Sequence, residues 1–143
     1  MKGKIRLATE GDILRILELF NSDANLTGND NLEYNEDHIR EYVTNGFDTV
    51  FVYELEGKVV AVAVLEFRKT SKYIYFDDLV VDEEYQRKGI ASEIQKYIES
   101  VGKEQGMNLI FFFNEVDNIE INNFAEKFGF ERGKKFYFQS KKL

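Results

Sequence analysis

The sequence predicts a single α/β domain with a central mixed, strongly twisted sheet covered by helices on both faces. Three observations carry that expectation. The runs 59–65 (Val-Val-Ala-Val-Ala-Val-Leu) and 109–113 (Leu-Ile-Phe-Phe-Phe) are apolar at every position, as strands buried on both faces are. The run 73–81 is dense in aromatic and β-branched residues, and after a short polar loop Ile90, Ile94, Tyr97, Ile98 and Val101 recur at a spacing near 3.6. Strand, helix and strand in this order imply a right-handed crossover and a parallel strand pair. At 143 residues the chain needs only one domain, which would bury about two-thirds of its unfolded surface.

Each remaining element has its own signal. Residues 4–8 alternate as a strand, and Thr9-x-x-Asp12 opens a helix with Ile13, Ile16, Leu17 and Phe20 along one face. Residues 21–35 turn polar, which reads as a long loop, either one that carries function or a surface excursion. Asn35 caps a short second helix that Asn45-Gly46 ends. Residues 49–55 and 58–67 are two strands joined by Glu56-Gly57, a hairpin signal. Gly106 closes the helix that follows the 73–81 strand. A last helix over 118–128 turns Ile121, Phe124, Ala125 and Phe128 inward and stops at Gly129, and the aromatic-rich 130–138 reads as a final strand or hairpin. There is no internal repeat, low-complexity tract, linker or proline.

Composition narrows the function classes. The chain is 43% hydrophobic with 13 Phe and 8 Tyr, as a folded globule requires, yet its apolar runs fall well short of the ~20 residues of a membrane span. Met1-Lys2-Gly3-Lys4-Ile5 enters a strand directly, without the apolar stretch of a signal peptide, so a cytoplasmic protein without membrane attachment is expected. With no cysteine, disulfides, a thiol nucleophile and Cys-based metal sites are excluded. The single histidine, His38, is a surface residue by position and makes a zinc site or a Ser-His-Asp triad untenable, so no metal is expected. A net charge of −7 argues against nucleic acid as a partner and is compatible with cationic substrates, or simply with solubility. Oligomeric state, monomer or homodimer, is left open.

The chemistry concentrates after the 73–81 strand, in Gln86-Arg87-Lys88-Gly89-Ile90-Ala91. Gly89 and Ala91 carry almost no side chain where a helix begins, so an anion can approach the first-turn amides, with Arg87 and Lys88 adding charge at the rim. Taken alone, a glycine at a strand-to-helix turn is just a turn. Walker and dinucleotide-binding glycine patterns are absent.

Gln86-x-x-Gly89-x-Ala91, after a strand ending Leu79-Val80-Val81-Asp82, resembles the acetyl-CoA signature of the GCN5-related N-acetyltransferases, the GNAT superfamily. The opening Ile5-Arg6-Leu7-Ala8-Thr9-Glu10-Gly11-Asp12 resembles that family's first strand and helix cap. Asn118 with Ala125-Glu126-Lys127-Phe128-Gly129-Phe130 resembles its closing unit, so the likeness runs nearly the whole chain in order. It implies a GNAT-like acyl-CoA N-acyltransferase fold over 1–143, with about six to seven strands and about four helices. It further implies acetyl-CoA as cosubstrate, its diphosphate on Gln86, Arg87, Lys88, Gly89, Ile90, Ala91 and Ser92. The pantetheine arm would pair with the strand edge at Leu79, Val80 and Val81, and Asn118 would help hold the cofactor, a role compatible with a plain helix cap.

The same resemblance implies acetyl transfer to a primary amine of a small molecule or peptide by direct attack, a main-chain N–H of 79–81 stabilising the oxyanion. An alkyl ammonium of pKa about 10.4 is neutral to only ~10⁻³ at pH 7, so presenting free amine costs roughly 4 to 5 kcal/mol without a base. Asp77 and Asp78, adjacent in the strand and so expected on opposite faces, are the first and second candidates for amine recognition or base, as in the family's polyamine and diamine branch; Glu66 is the third. Each also reads as a solvated strand-edge charge. Two departures stand out. Glu83 replaces a frequent proline, without consequence beyond turn stiffness. Ala125 replaces the tyrosine that usually protonates the departing thiolate, leaving Tyr137, Tyr85 or solvent for that task. That departure also motivates an alternative, a domain that binds or senses acetyl-CoA with little transferase activity.

Overall fold

The computed structural model describes residues 2–23 and 33–143; most of the polar loop expected over 21–35 lies outside them. The described chain divides into two compact units, Met1–Phe112 and Phe113–Leu143.

The first unit is a five-stranded mixed sheet in sequence order: β1 (Lys4–Leu7), β2 (Asp48–Leu55), β3 (Lys58–Arg68), β4 (Tyr73–Val81) and β5 (Leu109–Phe111). The first four pair antiparallel and β5 lies parallel to β4, as the crossover argument required. Glu56 and Gly57 turn the β2–β3 hairpin, both with positive φ (52° and 81°). Among its described residues this unit has the α-helices α1 (Ile13–Ser22), α2 (Glu36–Thr44) and α3 (Ile90–Glu104).

Helices cover both faces, as the wholly apolar 59–65 run demanded. On one face Ile13, Ile16, Leu19 and Phe20 of α1 and Ile39 of α2 bury Val50, Val52, Val62, Val64 and Val80. On the other, Ile90, Ile94 and Ile98 of α3 pack on Phe51, Tyr53, Ala61, Ala63, Leu65, Ile74 and Phe76. The caps follow the sequence. Thr9 donates its backbone N–H to Asp12 Oδ2 at 2.8 Å, and Asn35 Oδ1 accepts from His38 N–H at 3.0 Å while His38 Nδ1 accepts from Asn35 N–H.

The second unit holds α4 (Ile119–Lys127), capped by Asn118, whose Oδ1 accepts from Ile121 N–H at 3.1 Å. Phe124 and Phe128 pack ring to ring along this helix at 4.9 Å. The expectation of a final strand over 130–138 is not met: residues 130–143 form neither helix nor strand, and the described sheet has five strands rather than six to seven. Aromatic density expresses a preference for a pleated surface, but a strand exists only where a ladder partner is supplied. Among the described residues there are four α-helices, as expected.

Candidate functional site

Strand β4 is where the sheet departs from regularity twice. Its ladder with β5 has three rungs, Tyr73↔Leu109, Ile74↔Ile110 and Tyr75↔Phe111, so residues 76–81 carry β4 beyond its parallel neighbour. On its other side the register with β3 slips: Leu65 faces Phe76 but Val64 faces Asp78, leaving Asp77 as an extra, bulged residue.

The bulge corrects the expectation that Asp77 and Asp78 point to opposite faces. Strict alternation holds only in an unbroken ladder, and the inserted residue resets its phase. Ile74 and Phe76 belong to the core under α3, whereas Val80, in phase with Asp78, belongs to the core under α1 and α2. Tyr75, out of phase with Ile74 and Phe76, hydrogen-bonds Asp77, and Asp77 and Asp78 both feel the charge of Asp48. Both carboxylates therefore serve the α1/α2 side.

There they meet further acids. Asp48 begins β2 directly opposite Glu66, which in turn lies opposite Tyr75, a cross-strand row with two like charges side by side. Asn45 holds Asp48 through Nδ2 to Oδ2 at 2.6 Å. Glu66 has an ion pair with Arg68 at 3.3 Å; among the described ion pairs none involves Asp48, Asp77 or Asp78. Burial, followed by the charges of Asp77, Asp23 and Asp48, pushes the Asp78 carboxyl up from 3.8 to about 7. Burial also raises Asp77, with Asp48 and Glu66 adding to the effect against the Tyr75 hydrogen bond. The Tyr34, Tyr42 and Tyr75 phenols are held above their ordinary range by burial first and these carboxylates second. Such a cluster of carboxylates favours the uptake of a proton or a cation.

At the far end of β4 the chain turns sharply. Asp82 caps the turn Glu83–Tyr85, its Oδ1 accepting from Glu84 N–H at 3.1 Å, and its other oxygen pairs with Arg15 and, at 3.5 Å, with Lys58. Gln86 donates from Nε2 to the Val81 carbonyl at 3.0 Å, tying the loop back to the strand end. Arg87 has φ 62° and Gly89 φ 82°, so the loop coils before α3 starts at Ile90. Gly89 gives this 15-residue helix no side-chain cap, and a Cβ built on it would meet nothing within 4 Å. Space is therefore open beside Gly89 at the positive end of the helix dipole, as an anion approaching there would need. Lys88 Nζ lies 5.2 Å above the Tyr85 ring. Ile90 is buried in the core and Val80 likewise, so each can present only main chain; Leu79 and Val81 are partly buried against the α3 side.

Of the residues singled out from sequence, the structure gathers Asp77, Asp78 and Glu66 on one side of β4, and links Gln86 to Val81 beside Arg87, Lys88, Gly89, Ala91 and Ser92. Asn118 and Tyr137 belong to the second unit, Asn118 as the α4 cap and Tyr137 in a stretch without helix or strand. Ala125 lies on α4, beside Asn122 and Glu126 in a small concavity with Phe130 and Arg132. Sequence reasoning missed Asp48, Asp23, Tyr34, Tyr42 and Tyr75. Counting outward from the Glu56-Gly57 turn would have placed Asp48 one residue from Glu66, but the slip in register near Tyr53 that makes them partners has no signal in the sequence.

Among the described residues no helix is long and apolar enough to cross a membrane, and no cluster of His, Asp and Glu is arranged to hold a metal. Comparison with solved structures finds the same fold in a possible acetyltransferase from Clostridium difficile 630, 20% identical over 100% of this chain and 99% of that one, with a TM-score of 0.79. An aminoglycoside acetyltransferase from an uncultured soil metagenomic sample, solved with sisomicin, is 22% identical over 97% of both chains, with a TM-score of 0.75. The aminoglycoside N-acetyltransferase AAC(6')-Iy, solved with CoA, is 14% identical over 99% of this chain and 96% of that one, with a TM-score of 0.80. At these identities the likeness establishes the fold. A comparison with curated proteins finds no match. The model of the acetyltransferase (GNAT) family matches residues 13–130, most of the chain, and the protein belongs to that family.

Proposed function

We propose that the whole chain, 1–143, is one acetyl-CoA-dependent N-acetyltransferase domain that acetylates a primary amine presented as its ammonium. The observation that carries this reading is the bulge at Asp77, which sets Asp77 and Asp78 on the same side as Asp48 and Glu66 beside the unpaired length of β4. The family match supports one domain because it runs across the boundary between the two compact units.

The amine's proton is the first obstacle. Moving it from an ammonium at about 10.4 to an ordinary carboxylate near 3.9 costs roughly 9 kcal/mol; a carboxyl at about 7 halves that. Asp78 is thus the base and Asp77 its partner, with Asp48 and Glu66 drawing the cation in. This assignment reverses the order in which the sequence ranked the two aspartates, because burial favours Asp78. Bound acetyl-CoA supplies the activated acetyl group as a thioester. Gly89 and the amides at the start of α3, with Arg87 and Lys88, hold its diphosphate, Leu79, Val80 and Val81 offer main chain to the pantetheine amides, and an N–H of 79–81 stabilises the carbonyl oxygen as charge develops. Asn118 keeps the cofactor-holding role the resemblance implies, and with Ala125 in place of the usual tyrosine the departing thiolate takes its proton from Tyr137, Tyr85 or solvent.

Ala125 favours a second reading, a domain that binds acetyl-CoA and turns over slowly or not at all. One experiment separates the two: CoA release measured against a panel of amines, with acetyl-CoA affinity determined in parallel. Amine-dependent release above hydrolysis supports the transferase. Tight binding with none supports the sensor, and absence of binding removes both.

A further inference from the structure

Helix α3 carries a buried polar group that its surroundings do not satisfy. Gln95 is fully buried, and its Oε1 has no hydrogen-bond partner among the described residues. Its Nε2 donates to Glu99 Oε1 at 3.3 Å, one turn further along the helix. A carboxylate only accepts, so this bond fixes which end of the amide is which, and the unsatisfied end is the acceptor. An enclosed carbonyl without a donor destabilises the fold, whereas an apolar side chain of similar size would not.

The place of Gln95 on α3 identifies what lies beside that acceptor. One flank of the helix lies over β2: Glu93 Oε2 accepts from the Tyr53 hydroxyl, and the Tyr97 ring meets Phe51 edge to face at 5.3 Å. Gln95 is midway between Glu93 and Tyr97, so at about 100° per residue it projects from the opposite flank. On that flank a Cβ built on Gly102 would lie 2.8 Å from Ile74 Cδ1 of β4, and Ile110 of β5 belongs to the same core. The helix returns against the direction of β4, because β5 after it is parallel to β4. From Gly102 back to Gln95 is about 10 Å at 1.5 Å per residue, which on β4 is about three residues past Ile74. The β4–β5 ladder ends sooner, at Tyr75↔Phe111. Gln95 therefore stands over the stretch where the two strands no longer pair, one turn from Ala91 on the same flank.

We propose that Gln95 is a cofactor-binding residue, its Oε1 accepting an amide N–H of the pantetheine arm as the arm runs from the loop at Gly89–Ala91 along residues 79–81. The inference rests on the acetyl-CoA reading above and deepens it by adding a side-chain contact from α3 to the main-chain contacts of β4. The N–H and carbonyl of a trans amide point opposite ways, so a pantetheine amide whose carbonyl meets a strand N–H turns its own N–H away from that strand. It then needs an acceptor from another element, and Gln95 has one to spare. Glu99 acts as a positioning residue, because its carboxylate holds the Gln95 amide with the oxygen outward from their shared bond. The oxygen is enclosed in the structure, so the arm reaches it by displacing the side chains over it, and satisfying a buried acceptor favours that displacement.

The test is calorimetric titration of the unmodified protein and of Gln95→Leu with two ligands: acetyl-CoA, and 3′-phosphoadenosine 5′-diphosphate, the nucleotide half of CoA without the arm. Acetyl-CoA affinity should fall about tenfold in Gln95→Leu, while affinity for the nucleotide should change by less than about twofold. Without ligand, the variant should unfold at a higher urea concentration than the parent, because an unsatisfied buried group has been removed. Gln95→Met serves for the same measurements should Gln95→Leu not fold. Equal acetyl-CoA affinity in parent and variant overturns the proposal and leaves a buried water as the partner of Oε1. Equal loss for both ligands overturns it as well, since the change then acts through the diphosphate loop. A ligand-free variant less stable than the parent shows an oxygen already satisfied and has the same consequence. If the unmodified protein does not bind acetyl-CoA, the cofactor reading itself fails and this contact falls with it.

Discussion

Replacing Asp78 by Asn tests the catalytic assignment and its physical cause together, because the two effects run in opposite directions. In the folded protein the carboxyl is pushed from 3.8 to about 7, first by burial and then by Asp77, Asp23 and Asp48. A carboxyl raised in this way binds its proton more tightly folded than unfolded, so it costs no stability below about 3.8, a growing amount as pH climbs, and the full amount above about 7. The full displacement corresponds to on the order of 4 kcal/mol, reduced to roughly 2 to 4 by the water that a half-buried side chain keeps. Asp78→Asn keeps the shape and removes the charge. Urea denaturation should therefore find the variant more stable than the parent by a few kcal/mol near pH 8, with the difference shrinking toward pH 4. Thermal midpoints should move with it by roughly 2 to 4 °C per kcal/mol. In the same variant kcat/KM for amines should fall by ~10²- to 10⁴-fold, and the parent's rise in kcat/KM through pH 7 should disappear. Equal stability of parent and variant across that window would show that the carboxyl is not raised. A gain in stability without loss of activity would show that it is raised but is not the base.

Three further outcomes follow from other residues. Gly89→Glu should abolish acetyl-CoA binding in calorimetry, since it puts bulk and negative charge into the open space before α3 at a φ of 82°; retained affinity would refute the loop assignment. Asp77→Asn should lower kcat/KM for amines by about tenfold or more while acetyl-CoA affinity persists, and an unchanged rate would remove Asp77 from the site. Asp12, held below its ordinary range chiefly by its hydrogen bonds to Arg6 at 2.8 and 3.0 Å, contributes stability above pH 4 that is lost as pH falls through its folded value; Asp12→Asn should flatten the acid limb of the stability profile, and an unaltered limb would deny the pair that role.

What the sequence disclosed and what it withheld divide along a physical line. Local chemistry was legible: Asn35 as a cap, Glu56-Gly57 as a hairpin turn, the 3.6-residue spacing of Ile90, Ile94 and Ile98, and the two-faced burial of 59–65 all depend on neighbours in the chain. The acidic site was legible only in part, because a bulge is a mismatch between two strands and neither strand carries it alone. Period-2 reasoning placed Asp77 and Asp78 on opposite faces and could not bring Asp48 beside Glu66. The C-terminal stretch erred in the other direction. Phe130, Phe136, Tyr137 and Phe138 have strong strand preference, but preference does not supply an edge to pair with.

The stability relations of β4 make a functional argument of their own. A sheet selected for stability alone would not face Asp48 with Glu66 across a strand pair, nor bury Asp78 beside Asp77, since like charges directly opposite one another destabilise and a partly desolvated carboxylate costs more. Arg68 offsets one of these charges; none of the described ion pairs offsets the other three. The interaction that would remove the cost is an ammonium placed between Asp48 and Asp78, and its arrival changes the base that must act on it. A bound cation draws the Asp78 carboxyl back down, weakening it as a base, while the surrounding acids raise the ammonium's own pKa. Tight capture of the amine and easy removal of its proton are thus opposed in this pocket. In the proposed transferase these demands fall on different carboxylates: Asp77 is exposed and would attract the cation, while the partly buried Asp78 would retain enough affinity for the proton.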